Sequence, residues 1–390
     1  MAMTAGGDRR SYLDAGGRAP LHPAARAALD AAWSEGWADP RRLHREGRKA
    51  RLILDGAREA IAGRLGARTE EVVFAPSLTQ ALHHAVLGVA AGRRRAGGRI
   101  VTGAVERAAV LHAARAAAAA HPDGEAYPVR VDSVGRVATD EMIARLAAPG
   151  CALAALQHAN GEVGTLQPVE EVHAAARRSG VPLLVDAGAS LGHVDVPSAW
   201  DVLAADPADW GGPSGIGVLA VRARVRWSRA WPEDDAERGW FPGGVAVPLA
   251  LAAAAALEAV LPDREASAAR RRTLVERLRT RVAREVADVE VVGDPVARLP
   301  HVVTFSCLYV DGEALVTELD RAGFAVASGS ACTSSTLEPS HVLAAMGVLT
   351  HGNVRLALPP DVTAEAVERF CDVLPGIVAR VRAVLGVQDL

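Results

Sequence analysis

Lysine is almost absent from this chain: of its 43 lysine and arginine residues, only Lys49 is lysine. Schiff-base chemistry through a side-chain amine is thereby narrowed to one position. Lys49 sits in the charge run Arg45-Glu46-Gly47-Arg48-Lys49-Ala50-Arg51, which predicts a solvated helix face. Cysteine is scarce too. Cys151, Cys307, Cys332 and Cys371 are widely spaced and form no CxxC pair, which excludes a disulfide framework and points to reduced thiols in the cytoplasm. Long apolar runs are lacking: the longest, Leu249 to Leu257, is about half of the ~20 residues a bilayer span needs and reads as a packed helix. Met1 to Gly7 shows no basic segment followed by an apolar one, so no signal peptide is expected. A net charge of −3 sets up no field for nucleic acid or a membrane surface. His158, His341 and His351 have no metal-ligand spacing, and no metal site is expected.

What is present is core material. Half of the 390 residues are hydrophobic, enough for two domains. From about residue 50, short apolar runs at Val72-Val73-Phe74, Arg99-Ile100-Val101, Ala152 to Leu156, Pro182 to Val185 and Gly217 to Val221 alternate with helical stretches such as Thr79 to Ala91, Glu106 to Ala119 and Val169 to Arg178. That alternation predicts an α/β fold, a mostly parallel sheet covered on both faces, with a ligand at the carboxyl ends of its strands. After Trp240-Phe241-Pro242-Gly243-Gly244 the pattern changes. A charged helix from about Arg264 to Val286 leads into strands at Val289 to Val292, Val302 to Ser306, Phe324 to Ala327 and Val354 to Leu358, with helices near Gly312 to Ala322 and Thr363 to Leu385. This is a smaller α+β domain. The predicted division is a large domain over 19–245 and a small domain formed by 1–18 with 246–390.

The strongest local signal is Ser328-Gly329-Ser330-Ala331-Cys332-Thr333-Ser334-Ser335, followed by His341 and by Asn353-Val354-Arg355. A thiol among Ser, Gly and Ala after a strand predicts a polar loop where it can be deprotonated and reach a substrate. Together with Tyr12-Leu13-Asp14, His158-Ala159-Asn160-Gly161-Glu162-Val163-Gly164-Thr165, Val185-Asp186-Ala187 and Gly212-Pro213-Ser214-Gly215-Ile216-Gly217, this segment resembles the cysteine desulfurases of the class V aminotransferase family along essentially the whole chain. The resemblance implies the type I fold of pyridoxal-phosphate (PLP) transferases and a homodimer whose sites draw on both subunits. It implies sulfur carried as a persulfide on Cys332, a substrate carboxylate clamped by Arg355, and Asn160 in the substrate pocket. It also implies that Asp186 partners the pyridine nitrogen of PLP, while Ser77 and Thr79 keep the hydroxyls of the phosphate loop.

The same resemblance exposes departures, all at one ligand. Counted back from Gly212-Pro213, the family's histidine and cofactor lysine fall on Ala208 and Asp209. A carboxylate cannot form an imine. Asp206 stands where a hydroxyl binds phosphate, Arg107 where a histidine stacks on the ring, and Ala189 where a glutamine bonds the phenolic oxygen. Gly161 stands where Asn is frequent, and Phe241-Pro242-Gly243-Gly244 replaces Arg-Ser-Gly-Thr. No covalent PLP is therefore expected, and Asp186, its charged partner gone, is expected to bond backbone amides of the next turn. Three functions stay open. The first is a degenerate desulfurase-like protein that relays a persulfide on Cys332 from an active desulfurase paralogue to a sulfur-acceptor protein, or regulates such transfer. The second is an enzyme that binds PLP or pyridoxamine phosphate noncovalently, with Asp209 moving protons. The third is a structural or interaction protein in which Cys332 is idle. The apolar segment after Pro248 is expected to supply dimer surface.

Overall fold

Why the strands run apolar from end to end becomes plain in the computed structural model, which describes residues 10–328 and 339–384. The chain enters with β1 (Ser11–Tyr12), then α1 (Pro23–Glu35), which starts on a proline where no N–H partner is needed. Next comes α2 (Arg45–Leu65), capped by His44 Nδ1 accepting from Gly47 N–H at 3.2 Å and stopped by Gly66 at φ 59°. The large sheet and its helices follow as β2 (Val72–Ala75), α3 (Leu78–Gly92), β3 (Gly98–Gly103), α4 (Ala108–Ala119), β4 (Gly124–Val129) and α5 (Thr139–Ala147). They continue as β5 (Cys151–Gln157), α6 (Val169–Arg178), β6 (Leu183–Asp186), β7 (Val202–Ala205) and β8 (Gly217–Val221). After α7 (Val247–Val260) and α8 (Arg264–Glu285) come β9 (Val289–Val292), β10 (Val302–Cys307) and α9 (Gly312–Arg321). The chain closes with β11 (Phe324–Ala325), α10 (His341–Met346), β12 (Asn353–Ala357) and α11 (Ala364–Val384).

The seven-stranded sheet has the order β2-β8-β7-β6-β5-β3-β4, parallel except for β8, which runs against both neighbours. Every residue of β5 is buried, because helices cover both faces. On one face α3 and α4 bury Leu82, Val86 and Val110; on the other α2, α5 and α6 bury Ile61, Met142 and Val172. Each such side chain contributes roughly 1.5–3 kcal/mol when removed from water. The small domain is an antiparallel sheet, β12-β10-β9, with a parallel β1-β11 pair beside it. Leu13, Leu278, Phe305, Phe324 and Phe370 form its core, so the amino-terminal strand is packed into the carboxyl-terminal domain.

Two expectations need correction. A boundary at 245 falls ahead of α7, yet α7 packs on α1 and α2 and its Val247, Ala250, Ala253 and Leu257 join the large-domain core. The chain crosses between domains at 261–264 instead. A helix that is apolar all round is a buried helix, and for the same reason the Ala/Leu segment after Pro248 is interior rather than dimer surface. Among the described residues, no helix is long and apolar enough to cross a membrane.

Candidate functional site

The carboxyl ends of β3, β6 and β7 converge, as the crevice of a parallel sheet requires. Asp186, the last residue of β6, is 3% exposed. Its Oδ1 accepts the Gly188 N–H at 2.8 Å, the backbone bond expected of it. Its Oδ2 accepts from Arg107 Nε at 2.9 Å, so the expectation that Asp186 lacks a charged partner is overturned. Arg107 comes from the loop after β3, at the start of α4, and turns back over the strand ends. Asp186, then Asp206 and Asp209, hold its guanidinium in the charged form. The start of α3 closes this side: Leu78 lies against Gly188, and Ser77 Oγ accepts from Gln80 N–H at 3.2 Å as the helix cap. Thr79 is exposed one turn along.

Asp206 and Asp209 lie on one tight turn, Pro207–Trp210, which Gly211 closes at φ 83°. Asp206 Oδ1 accepts from Ala208 N–H at 3.0 Å. Burial pushes the Asp206 carboxyl up to about 6; the Ala208 amide and Arg107 oppose that rise, whereas Asp209 and Asp186 add to it. Asp209 is 1% exposed, and its Oδ1 accepts the Gly17 N–H at 2.8 Å. Its Oδ2 faces His193 Nε2 at 3.1 Å, but Nε2 is aimed at the Asp209 carbonyl oxygen, also 3.1 Å away. That carboxylate oxygen has no hydrogen-bond donor among the described residues. His193 Nδ1 lies 3.2 Å from Arg271 Nη1 and accepts from it, which leaves the proton on Nε2. The His301 ring lies tilted against His193 with centroids 3.9 Å apart, and burial drives its pKa well below the ordinary histidine value.

His193, Arg271 and His301 were not singled out in the sequence. They come from the turn after β6, from α8 and from the start of β10, and only the fold brings them to Asp209. Sequence offers one weak signal, a histidine seven residues beyond Asp186.

The other expected residues divide between bound-up and poised. Asn160 Nδ2 donates to the Val105 carbonyl at 3.1 Å, and its Oδ1 accepts from Glu162 and Val163 N–H at 2.8 and 2.9 Å. Its amide is thus consumed in holding its own turn. Ala189 and Ala208 are buried and offer no polar side chain. Arg355, on β12, donates through Nη2 to Asp14 Oδ1 at 2.8 Å, while its Nε has no partner among the described residues. Cys332 lies outside the described residues. Just after it, His341 Nε2 lies 2.9 Å from the Glu106 carbonyl oxygen, next to Arg107. Glu106 is fully buried, and burial pushes its carboxyl up to about 8; burial likewise pushes Glu162 up to about 7. Cys151, Cys307 and Cys371 are buried thiols, pushed up by burial to about 11, 12 and 11. Lys49 is on the exposed face of α2, paired with Glu35. Phe241 is packed inside, its ring centroid 4.8 Å from that of His84 on α3, while Pro242 and Gly243 after it are exposed. No group of three or more His, Cys, Asp or Glu fit for a metal occurs among the described residues.

Comparison with known proteins bears on this arrangement. The class-V aminotransferase family matches residues 11–370. The chain is 30% identical to the cysteine desulfurase IscS of Dictyoglomus turgidum over 382 residues, covering 96% of each. It is 33% identical to the cysteine desulfurase of Cereibacter sphaeroides over 387 residues, covering 96% of this chain and 97% of that one. Among solved structures, a NifS-like protein superposes with a TM-score of 0.86 at 25% identity, over 95% of this chain and 100% of that one. DndA from Streptomyces lividans superposes with a TM-score of 0.75 at 28% identity, over 89% and 99%.

Proposed function

Given that the chain belongs to the class V aminotransferase family, in its cysteine desulfurase branch, we propose that it is a sulfur-transfer protein that carries a persulfide on Cys332 without a lysine-bound PLP. The observation that carries this reading is Asp209: a buried carboxylate at the lysine position, tied to the Gly17 amide and backed by His193. The family depends on PLP, and the residues around Asp209 do not fit it. Asp209 forms no imine, and the Asp186 oxygen that would meet a pyridine nitrogen is engaged by Arg107 at 2.9 Å. Asp206, where the resemblance implies a phosphate-binding hydroxyl, would set a carboxylate against a dianion. No step is therefore routed through the cofactor, and Asp209 is not assigned a proton-transfer role.

The chemistry left to the chain is thiol exchange. The Cys332 thiolate attacks the terminal sulfur of a donor persulfide; the donor S–S bond breaks, its electron pair leaves with the donor thiolate, and Cys332 carries the new persulfide. No net oxidation occurs, so no further reactant is needed. The donor is an active desulfurase loaded with cysteine, and the receiver is an acceptor protein or thiol in the cytoplasm. A homodimer is part of this proposal, supported by the exposed Trp33, Trp37, Leu43 and Leu52 at α1 and α2; sedimentation at micromolar concentration checks it.

The test supplies an active desulfurase and cysteine in trans and maps the added sulfur by mass spectrometry. Sulfur on Cys332, lost in Cys332→Ser, is the expected result. Sulfur on no cysteine, or cysteine turnover by the purified protein with bound PLP, overturns the reading. Borohydride reduction after PLP incubation should leave the protein mass unchanged; a pyridoxyl adduct on Lys49 would revive the enzyme reading.

A further inference from the structure

Behind Asp209, on the side where α8 packs against the large domain, lies a cavity of about 340 Å³. Arg271 lines it, and Arg271 is 1% exposed. A buried guanidinium is ordinarily matched by a carboxylate, because an unpaired charge in the interior costs several kcal/mol. Other buried or nearly buried arginines of this chain illustrate the rule: Arg58 pairs with Glu237 at 2.9 Å, Arg222 with Glu71 at 3.2 Å and Arg298 with Glu276 at 2.6 Å. Arg271 departs from it. Its bonds run to neutral acceptors, Nη1 to His193 Nδ1 at 3.2 Å and Nε to the Ser267 carbonyl at 3.3 Å. Two carboxylates, Asp209 and Asp263, also line the cavity, but neither pairs with Arg271 among the described residues, and Asp209 stands on the far side of the His193 ring. Burial accordingly lowers the Arg271 pKa to about 10, with the neighbouring Arg270 adding to the fall.

A second observation points the same way. Ser267, one helical turn before Arg271 and lining the same cavity, has a buried hydroxyl oxygen with no hydrogen-bond partner among the described residues. Arg264 and Arg270 stand in the wall as well. A guanidinium with no ion-pair partner and a hydroxyl with no hydrogen-bond partner among the described residues, on two side chains that line one cavity, make complementary demands.

We propose that this cavity is a binding site for a small oxyanion, held by the Arg271 guanidinium and the Ser267 hydroxyl. The site is separate from the Arg355 side, and it stands whether or not Cys332 carries sulfur. Inorganic sulfate or phosphate and a simple carboxylate share the chemistry the site recognises; tetrahedral and planar anions are told apart by direct titration.

The experiment is calorimetric titration and thermal unfolding of the whole protein with sulfate, phosphate and acetate, each against chloride at matched ionic strength. Saturating the site with the preferred oxyanion should raise Tm by about 2 °C or more over the chloride control. Ser267→Ala should weaken that binding roughly tenfold, and Arg271→Met should abolish it. Ser267→Ala removes a single unpartnered hydroxyl and keeps the test decisive if Arg271→Met fails to fold. Equal shifts with chloride and all three anions, or binding unchanged in Ser267→Ala, overturns the proposal and leaves Asp209, through His193, as the counter-charge of Arg271.

Discussion

The two sides of the inter-domain crevice have been treated differently. On the large-domain side, Arg107, Asp186, Asp206 and Asp209 form a closed electrostatic set, in which an arginine meets the strand-end carboxylate and two further carboxylates surround it. On the small-domain side, Arg355 has an Nε with no partner among the described residues, and the Cys332 segment, which precedes it in the chain, resembles that of the family. The first side pairs its arginine internally and leaves Asp209 Oδ2 without a donor among the described residues; the second leaves an arginine nitrogen without an acceptor among them. Two acids, Asp206 and Asp209, and the arginine that meets Asp186 lie together across this space.

The largest expected effect breaks the closed side directly. Asp209→Lys puts an ammonium where the Gly17 amide donates and where the Arg271–His193 pair already carries positive charge. It should cost about 3–5 kcal/mol in denaturant unfolding, as removing the proper partner of a buried charge does. It should not yield desulfurase turnover, because Arg107, Ala189 and Ala208 are unchanged. Family-like turnover from this one substitution would mean that the other departures are harmless. Arg107→Ala is milder: it strands the Asp186 carboxylate, but the guanidinium is partly exposed and water can replace some of its bonds. About 1–2 kcal/mol is expected, and a change near zero would remove the ion pair from the account.

How much of this was legible beforehand follows from periodicity and distance along the chain. The helices α6 and α8 stand where the apolar spacing put them, to within a residue. β4 and β7 were missed: β4 is an edge strand, largely exposed, with Pro128 in it, and β7 is only four residues long. In the site, the acid at Asp209 was singled out by counting along the family resemblance from Gly212-Pro213. The Arg107–Asp186 bond could not, because it depends on the loop after β3 folding back over the sheet, 79 residues away in sequence. The cluster around Asp209 was less legible still, since Arg271 sits in an arginine run that reads as a solvated face.

A pH dependence sharpens the comparison next. Glu106, fully buried beneath Arg107, has its carboxyl raised to about 8. Its folded pKa lies above the unfolded value, so the native state binds the proton more tightly, and stability falls as pH rises from about 4.5 through about 8. Glu106→Gln keeps an oxygen for the Gln157 amide at 2.9 Å and removes the titration. The difference in unfolding free energy between variant and wild type should grow with pH by up to about 1.4 kcal/mol per unit within that window. Parallel stability profiles from pH 5 to about 8 would contradict it.

The smallest expected effect is on stability and the most telling is on chemistry. Cys151, Cys307 and Cys371 are buried and their thiols are pushed up to about 11, 12 and 11, so each is almost wholly protonated at neutral pH. The nucleophile in alkylation is the thiolate, and both exposure and thiolate fraction are withheld from these three. Cys332, in its Ser, Gly and Ala surroundings, should therefore be the first to take up iodoacetamide, and Cys332→Ser should lose the fast phase with Tm unchanged. Peptide mapping of a partial alkylation decides the matter. Label arriving first on any of the three buried cysteines would place the reactive thiol elsewhere and remove the small-domain half of the contrast.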